Sequence, residues 1–219
     1  VVGNGHETGA EPDTEAKYAD LEQWTRSTFD VEAIDYRWSS QDYSTPDRLP
    51  YVGHSPLSRN VLVATGFHKW GLSNGTAAAV MLADLLAGRD NAWLPTFDAG
   101  RIGDAKAVGE LIKDNLKVGK EFIGGRVARV KAIPAAELEP GHGGLVDVDG
   151  ETLGAYRDPD GDLHAVHPTC THLGCPLRWN PAETSWDCNC HGSRFDADGF
   201  ILDGPTVEPL EQVELPVDP

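Results

Sequence analysis

The hydrophobic pattern changes period along the chain. Over residues 13–29 apolar side chains recur at helical spacing, with Tyr18, Leu21 and Trp24 at i, i+3 and i+6. Asp13 and Glu15 put acidic groups in the first turn, where the partial positive charge of a helix end favours them, so a helix is predicted here. Residues 34–38 predict a strand, and the Pro-, Asp- and Ser-rich stretch 39–56 a loop. Residues 61–64 read as a short buried strand running into the glycine-rich turn 65–75. A helix is predicted over 76–87, ended by Gly88 and capped by Ser73, Asn74 or Thr76. Another is predicted over 104–122: Asp104 caps it, Val108, Leu111, Ile112 and Phe122 form its apolar stripe, and Gly124-Gly125 stops it. Lys113, Lys117 and Lys120 suit its C-terminal end.

From Arg126 onward the helical period disappears. Val146/Val148 and Leu153/Ala155 alternate around Asp149-Gly150, while Asp158-Pro-Asp-Gly161 and Asp198-Gly199 mark further turns. The last third therefore reads as an all-β module. The first hundred residues read as mixed α and β.

Composition narrows the function. The 219 residues suit one or two domains, and 40% hydrophobic content supports a real core. A net charge of −17 argues against nucleic acid or an anionic membrane as the main partner. The best candidate for a membrane span, residues 76–87, contains Asp84 and falls short of the ~20 residues a membrane helix needs. No charged-then-apolar leader is seen, so a cytoplasmic protein without membrane insertion is expected. The chain opens on Val1 and its only methionine is Met81, so a longer product is expected. Residues 1–103 carry 8 basic and 14 acidic groups (net −6), 104–146 carry 7 and 6 (net +1), and 147–219 carry 3 and 15 (net −12). The expected plan is a first domain at 1–103, a connecting helix at 104–123 and the β module at 124–219.

All four cysteines lie in two short segments, Cys170-Thr-His172-Leu-Gly-Cys175 and Cys188-Asn-Cys190-His191-Gly-Ser193. From these residues alone, a structural zinc site or a plain disulfide scaffold stays open. The single residue between Cys170 and His172 is tight for zinc, however, and zinc gives no reason for Gly174, Gly192 and Ser193. Both segments and their separation resemble the Rieske iron–sulfur proteins. The resemblance implies a [2Fe–2S] cluster with thiolate ligands Cys170 and Cys188, imidazole ligands His172 and His191, and a Cys175–Cys190 disulfide tying the loops together. Two neutral imidazoles in place of thiolates remove negative charge and raise the reduction potential. In the high-potential members a serine and a tyrosine donate hydrogen bonds to sulfur. Ser193 holds the serine position, but Phe195 stands where the tyrosine would be. The expected potential therefore lies below the upper end of the roughly −150 to +300 mV Rieske range. Gly204-Pro205 resembles the loop that covers the cluster on its third side. His164 and His167 are expected to be structural, and His6, His54, His68 and His142 solvated.

The run Gly3-Asn-Gly-His-Glu-Thr-Gly9 invites a dinucleotide reading, but its spacing is wrong and the acidic helix start behind it would repel a pyrophosphate. A better match is Trp38-Ser-Ser-Gln-Asp-Tyr-Ser-Thr45-Pro46-Asp47-Arg-Leu-Pro50-Tyr-Val-Gly53, followed by Ala64-Thr-Gly66-Phe67-His-Lys-Trp70-Gly71-Leu-Ser-Asn-Gly75 and Phe97-Asp-Ala-Gly-Arg101-Ile102. These segments resemble the C-terminal half of FAD-dependent oxidoreductases of the D-amino-acid-oxidase/glycine-oxidase type, some of which carry a C-terminal Rieske domain. The resemblance implies flavin contacts at Gly66, Phe67, Trp70 and Gly71. The family's strand–GxGxxG–helix unit is not found, so FAD is expected only in a full-length parent.

The leading expectation is electron transfer through the Rieske cluster, as the C-terminal portion of an FAD-dependent amine or amino-acid oxidoreductase. The alternative is a flavin-dependent dehydrogenase in which the Rieske part is structural or regulatory. A Rieske oxygenase is disfavoured because no D-x-x-H-x₃₋₄-H run supplies a mononuclear iron site. A respiratory subunit is disfavoured for want of an anchor. The expected partner is an electron donor or acceptor protein, or a flavin domain, of basic character.

Overall fold

The computed structural model describes residues 1–56, 58–101, 108–109, 112–113, 115–116, 118–120 and 132–215. Helix α1 (Thr14–Thr28) forms where predicted. Asp13 caps it by accepting from the Ala16 amide at 2.9 Å, and the Phe29 amide closes its end on the Thr25 carbonyl. The face that α1 buries is polar, though. Thr14 and Thr25 are buried, whereas Trp24 of the predicted stripe is exposed. The reason lies in what covers the helix, a set of hydrogen-bonding side chains described below.

The chain divides into two compact units, Ser40–Leu116 on one side and Val1–Ser39 with Lys117–Pro219 on the other. The expected plan of 1–103, 104–123 and 124–219 divides it differently, because α1 packs with the C-terminal strands.

In the unit spanning Ser40–Leu116, β1 (Tyr51–Ser55) pairs antiparallel with β2 (Ser58–Thr65). This corrects three expectations. Residues 39–56 are not wholly loop, residues 34–38 form no strand, and β2 is longer than 61–64 and partly exposed. Helix α2 (Gly71–Leu86) starts five residues earlier than the predicted 76. Trp70 is its N-cap and no side chain caps it, so the Ser73, Asn74 and Thr76 expectation fails. The turn before the helix closes locally instead, with the Trp70 amide and the Asn74 side chain both donating to the Phe67 carbonyl. Gly88 ends the helix as expected, at φ +64°. Val52, Ala78 and Met81 form a small core against Phe67 and Phe97, the latter in the short helix α3 (Leu94–Phe97). Arg101 ties the unit together: it grips both Asp47 carboxylate oxygens at 2.7 and 2.9 Å, donates to the Pro50 carbonyl, and lies over the Tyr51 ring. That pairing lowers the Asp47 pKa to about 2.

Of the predicted connecting helix, the described residues 108–109, 112–113, 115–116 and 118–120 are helical. Its proposed caps, Asp104 and Gly124-Gly125, and Leu111, Lys117 and Phe122 lie outside the described residues. No helix among the described residues is long and apolar enough to cross a membrane.

The C-terminal unit holds two four-stranded sheets. One runs in the order β3 (Ile133–Pro134), β4 (Gly143–Val148), β5 (Glu151–Arg157), β6 (Leu163–Val166), and the other runs β10 (Ile201–Asp203), β9 (Arg194–Asp196), β8 (Ser185–Cys188), β7 (Leu177–Asn180). The β4–β5 hairpin turns at Asp149-Gly150, both at positive φ (+52° and +88°), as the alternation predicted. Its inward set, Val146, Leu153 and Ala155, is fully buried. The second core gathers Trp186, Phe195, Val166, Leu177 and Leu210 around Cys170, Cys175 and Cys188. The cysteine-bearing segments thus emerge from this second core.

Candidate metal centre

Two loops face one another, one between β6 and β7 and one between β8 and β9, and they are built alike. In the first, the Cys170 amide donates to the Cys175 carbonyl and the Gly174 amide to the Cys170 carbonyl, both at 2.8 Å. In the second, the Cys188 amide donates to the Ser193 carbonyl at 2.8 Å and the Gly192 amide to the Cys188 carbonyl at 3.0 Å. The fifth position of each loop is a glycine in the left-handed region, Gly174 at φ +73° and Gly192 at +78°. Any side chain there would be strained, which explains the glycines that zinc left unexplained. This backbone pattern holds each leading cysteine at the base of its loop.

The Cys175–Cys190 disulfide forms, with Cα atoms 6.5 Å apart. Cys170 and Cys188 stay free and buried. The sulfurs of Cys175, Cys188 and Cys190 lie within 4.8 Å of one another. Two of these three are spent on the disulfide, so Cys188 alone of that group can ligate. Cys188 hydrogen-bonds to Cys170, which holds the Cys170 thiol down at about 5 and, with burial, pushes Cys188 up.

The imidazoles of His172 and His191 sit edge to face with centroids 5.0 Å apart. His172 Nδ1 is buried and has no hydrogen-bond partner. Burial, and then the neighbouring His172, lower the pKa of His191 and favour its neutral form, the form that ligates metal. A buried nitrogen without a partner costs about 1–3 kcal/mol unless a ligand satisfies it. Two buried thiols, two imidazoles and an unpartnered ring nitrogen form a donor set suited to a [2Fe–2S] centre with mixed sulfur and nitrogen ligation. Ser193 is fully buried and its hydroxyl has no hydrogen-bond partner of its own, although its proximity helps to lower the Cys170 thiol. Phe195 is fully buried and offers no hydroxyl.

A third segment covers the loops. A Cβ at Gly204, which has φ +104°, would lie 2.8 Å from the Gly192 carbonyl oxygen and the Ser193 nitrogen, so only glycine permits this approach. Two residues on, the Thr206 and Thr171 hydroxyls meet at 2.6 Å, and Thr171 also donates to the Glu208 carbonyl. The segment from Gly204 to Glu208 therefore straps both loops. Sequence reading found Gly204-Pro205 but missed the Thr171–Thr206 clasp, whose members lie 35 residues apart.

The other expected histidines behave simply. His164 Nδ1 pairs with Asp198 at 2.7 Å, which raises its pKa. The His167 backbone amide donates to the Glu211 carbonyl.

The residues expected at flavin surround the start of α2. Gly66 (φ +74°) is buried against the Thr45 side chain, so the close approach that requires glycine there is to Thr45. Phe67 packs on the Val52–Met81 core, Trp70 is exposed, and a Cβ at Gly71 would meet nothing within 4 Å. The uncapped helix start supplies partial positive charge suited to an anionic flavin edge.

Comparison with known proteins defines the class. Residues 128–214 match the Rieske [2Fe-2S] domain and residues 1–85 match the FAD dependent oxidoreductase family. The chain thus joins an N-terminal flavoprotein-family segment to a C-terminal Rieske domain, and these imply FAD and a [2Fe–2S] cluster respectively. Among individual proteins, it is 39% identical over 216 residues to the "Putative Rieske 2Fe-2S iron-sulfur protein YhfW" of Bacillus subtilis (strain 168), an alignment covering 97% of this chain and 42% of that protein. The chain therefore spans less than half of that relative. The cytochrome b6-f complex iron-sulfur subunit of Chlorobaculum tepidum is 33% identical over 85 residues, covering 39% of this chain and 46% of the subunit. Among solved structures, the cyanobacterial plasma membrane Rieske protein PetC3 from Synechocystis PCC 6803 matches with 32% identity and a TM-score of 0.31, covering 34% of this chain and 76% of that one.

Proposed function

We propose that the C-terminal unit carries single electrons through a [2Fe–2S] cluster, with Cys170 and Cys188 holding one iron and His172 and His191 the other. The bound cluster would supply a reversible one-electron couple. The chain's own residues do the rest. The disulfide and the Gly204–Glu208 strap fix the two loops against each other, and burial of both thiols keeps water from the sulfurs. The Ser193 hydroxyl, buried and without a hydrogen-bond partner, would donate to sulfur and favour the reduced, more negative state. The observation that carries the reading is the pair of free buried cysteines together with His172 Nδ1, a buried ring nitrogen with no hydrogen-bond partner.

In the longer protein, electrons would come from a flavin held partly at Gly66, Phe67, Trp70 and Gly71, after oxidation of an amine or amino acid. The net charge of −12 over residues 147–219 suits a basic redox partner. The test is stopped-flow reoxidation of the reduced protein by a small basic electron-carrier protein at increasing salt. Rates should fall steeply between low and physiological ionic strength. Salt-independent rates would refute the acidic docking surface.

A further inference from the structure

The glycine-rich N-terminal arm, unsuited to a nucleotide, touches the second metal-binding loop. Gly9 adopts φ +67°, and a Cβ there would lie 2.7 Å from the Asn189 nitrogen and 3.0 Å from the Cys188 carbonyl carbon. The arm's backbone is thus in contact with the residue that opens the loop and the one after it. Five residues on, at the start of α1, the Thr14 hydroxyl donates to Asn180 Oδ1 at 2.7 Å. That bond orients the Asn180 amide, whose Nδ2 donates to Asp187 Oδ2 at 2.8 Å. Asp187 Oδ1 accepts from Arg194 Nε at 3.1 Å and from the Ser185 hydroxyl at 2.9 Å. Thr14, Asn180, Ser185, Asp187 and Arg194 are all buried.

The chain of bonds ends at a telling place. Asp187 and Arg194 are cross-strand partners on β8 and β9. They flank residues 188–193 directly, so their ion pair closes the base of the loop that carries Cys188 and His191. Without the Thr14 hydroxyl, Asn180 Oδ1 would keep only a 3.3 Å contact from the Glu183 amide. A buried polar chain of this kind holds its geometry only while every member is satisfied.

We propose that the arm and α1 act as a clamp, with Gly9 and Thr14 as positioning residues that set the second cluster loop. Both residues belong to the segment matched to the flavoprotein family, yet they pack in the same unit as the Rieske strands. The flavoprotein-type segment therefore helps to shape the electron-transfer site. The inference rests on Cys188 and His191 being cluster ligands, as proposed above.

The test compares the full chain with its Thr14→Val, Thr14→Ser and Gly9→Ala variants. The readouts are the EPR g-values and midpoint potential of the reduced protein and the rate of iron loss to a chelator. Thr14→Val should shift the g-values and speed iron loss about five- to tenfold, in line with one lost buried hydrogen bond. Thr14→Ser should restore both, and Gly9→Ala should exceed Thr14→Val. A Thr14→Val variant with the parent spectrum and rate, or a Thr14→Ser variant as impaired as Thr14→Val, would overturn the clamp alone. A parent chain that binds no iron–sulfur cluster would overturn the ligand assignment and the clamp with it.

Discussion

The two compact units each carry residues expected to meet a cofactor, and they present them differently. Around Cys170 and Cys188 the two thiols are buried and the two imidazoles half-buried, on loops cross-linked by Cys175–Cys190 and held by paired backbone hydrogen bonds of their own. Around the start of α2, Trp70 is 67% and Leu72 93% exposed. The glycine conformations there serve the packing of Gly66 on Thr45 and leave the Gly71 side open. One site is framed by two short loops of its own, with Gly9 and Thr14 bracing the second from the other end of the chain. The other contributes a single wall. A cofactor of the first should therefore be retained by this chain, whereas one of the second depends on further contacts.

The difference can be attacked from either side. The largest effect should come from the disulfide. Replacing Cys175 and Cys190 by serine reopens a loop of sequence separation 15, which costs about 3 kcal/mol. Thermal denaturation should show the C-terminal unit melting earlier, with the cluster lost first and the Ser40–Leu116 unit unchanged.

The complementary change is Asp47→Asn, which leaves Arg101 without its carboxylate inside the other unit. A loss of about 2 kcal/mol is expected, since charge-assisted bonds are the stronger class. Circular dichroism melts should register it while the iron–sulfur spectrum stays intact. The pH dependence follows from Asp47 having a folded pKa of about 2, below its ordinary 3.8. Its contribution is present above the ordinary value and is lost as pH falls through the folded one, so wild type and variant should converge between about pH 4 and pH 2.

The smallest effect, and the finest test of the cluster site, is Phe195→Tyr. A hydroxyl at this buried position would restore the missing donor to sulfur. One hydrogen bond of about 1 kcal/mol corresponds to roughly 40 mV for a single electron. Redox titration followed by EPR should find the potential raised by that order, and an unchanged or lowered value would count against the donor argument.

How far the sequence could be read follows the same division. The metal-binding loops were readable because their chemistry is local: Cys, His and Gly recur at fixed offsets, and the backbone pattern that needs Gly174 and Gly192 spans only six residues in each loop. Helix α1 was readable from the acidic residues at its start, of which Asp13 serves as the N-cap through its carboxylate. What escaped was non-local. The buried face of α1 is polar because Thr14 meets Asn180, 166 residues away. No periodicity signals such a partner. Strand β1 was hidden because Tyr51-Val-Gly-His-Ser55 follows a proline-rich run and lacks clean alternation, its pairing with β2 supplying the order instead. Helix α2 began early because a glycine-rich stretch read as a turn was drawn into the helix by the Phe67 carbonyl, which accepts from both Trp70 and Asn74. Tertiary and capping contacts outweighed the low helix propensity of glycine there.

The central claim is that Cys170, His172, Cys188 and His191 hold a [2Fe–2S] cluster, and one measurement meets it directly. Iron and acid-labile sulfide should be quantified in the purified chain together with the EPR spectrum of its reduced form, beside a Cys188→Ser variant. The account predicts equal amounts of iron and sulfide with a mixed-ligand [2Fe–2S] signal in the parent, and loss of both in the variant. Zinc in place of iron, or a variant that keeps the parent's cluster, would contradict it.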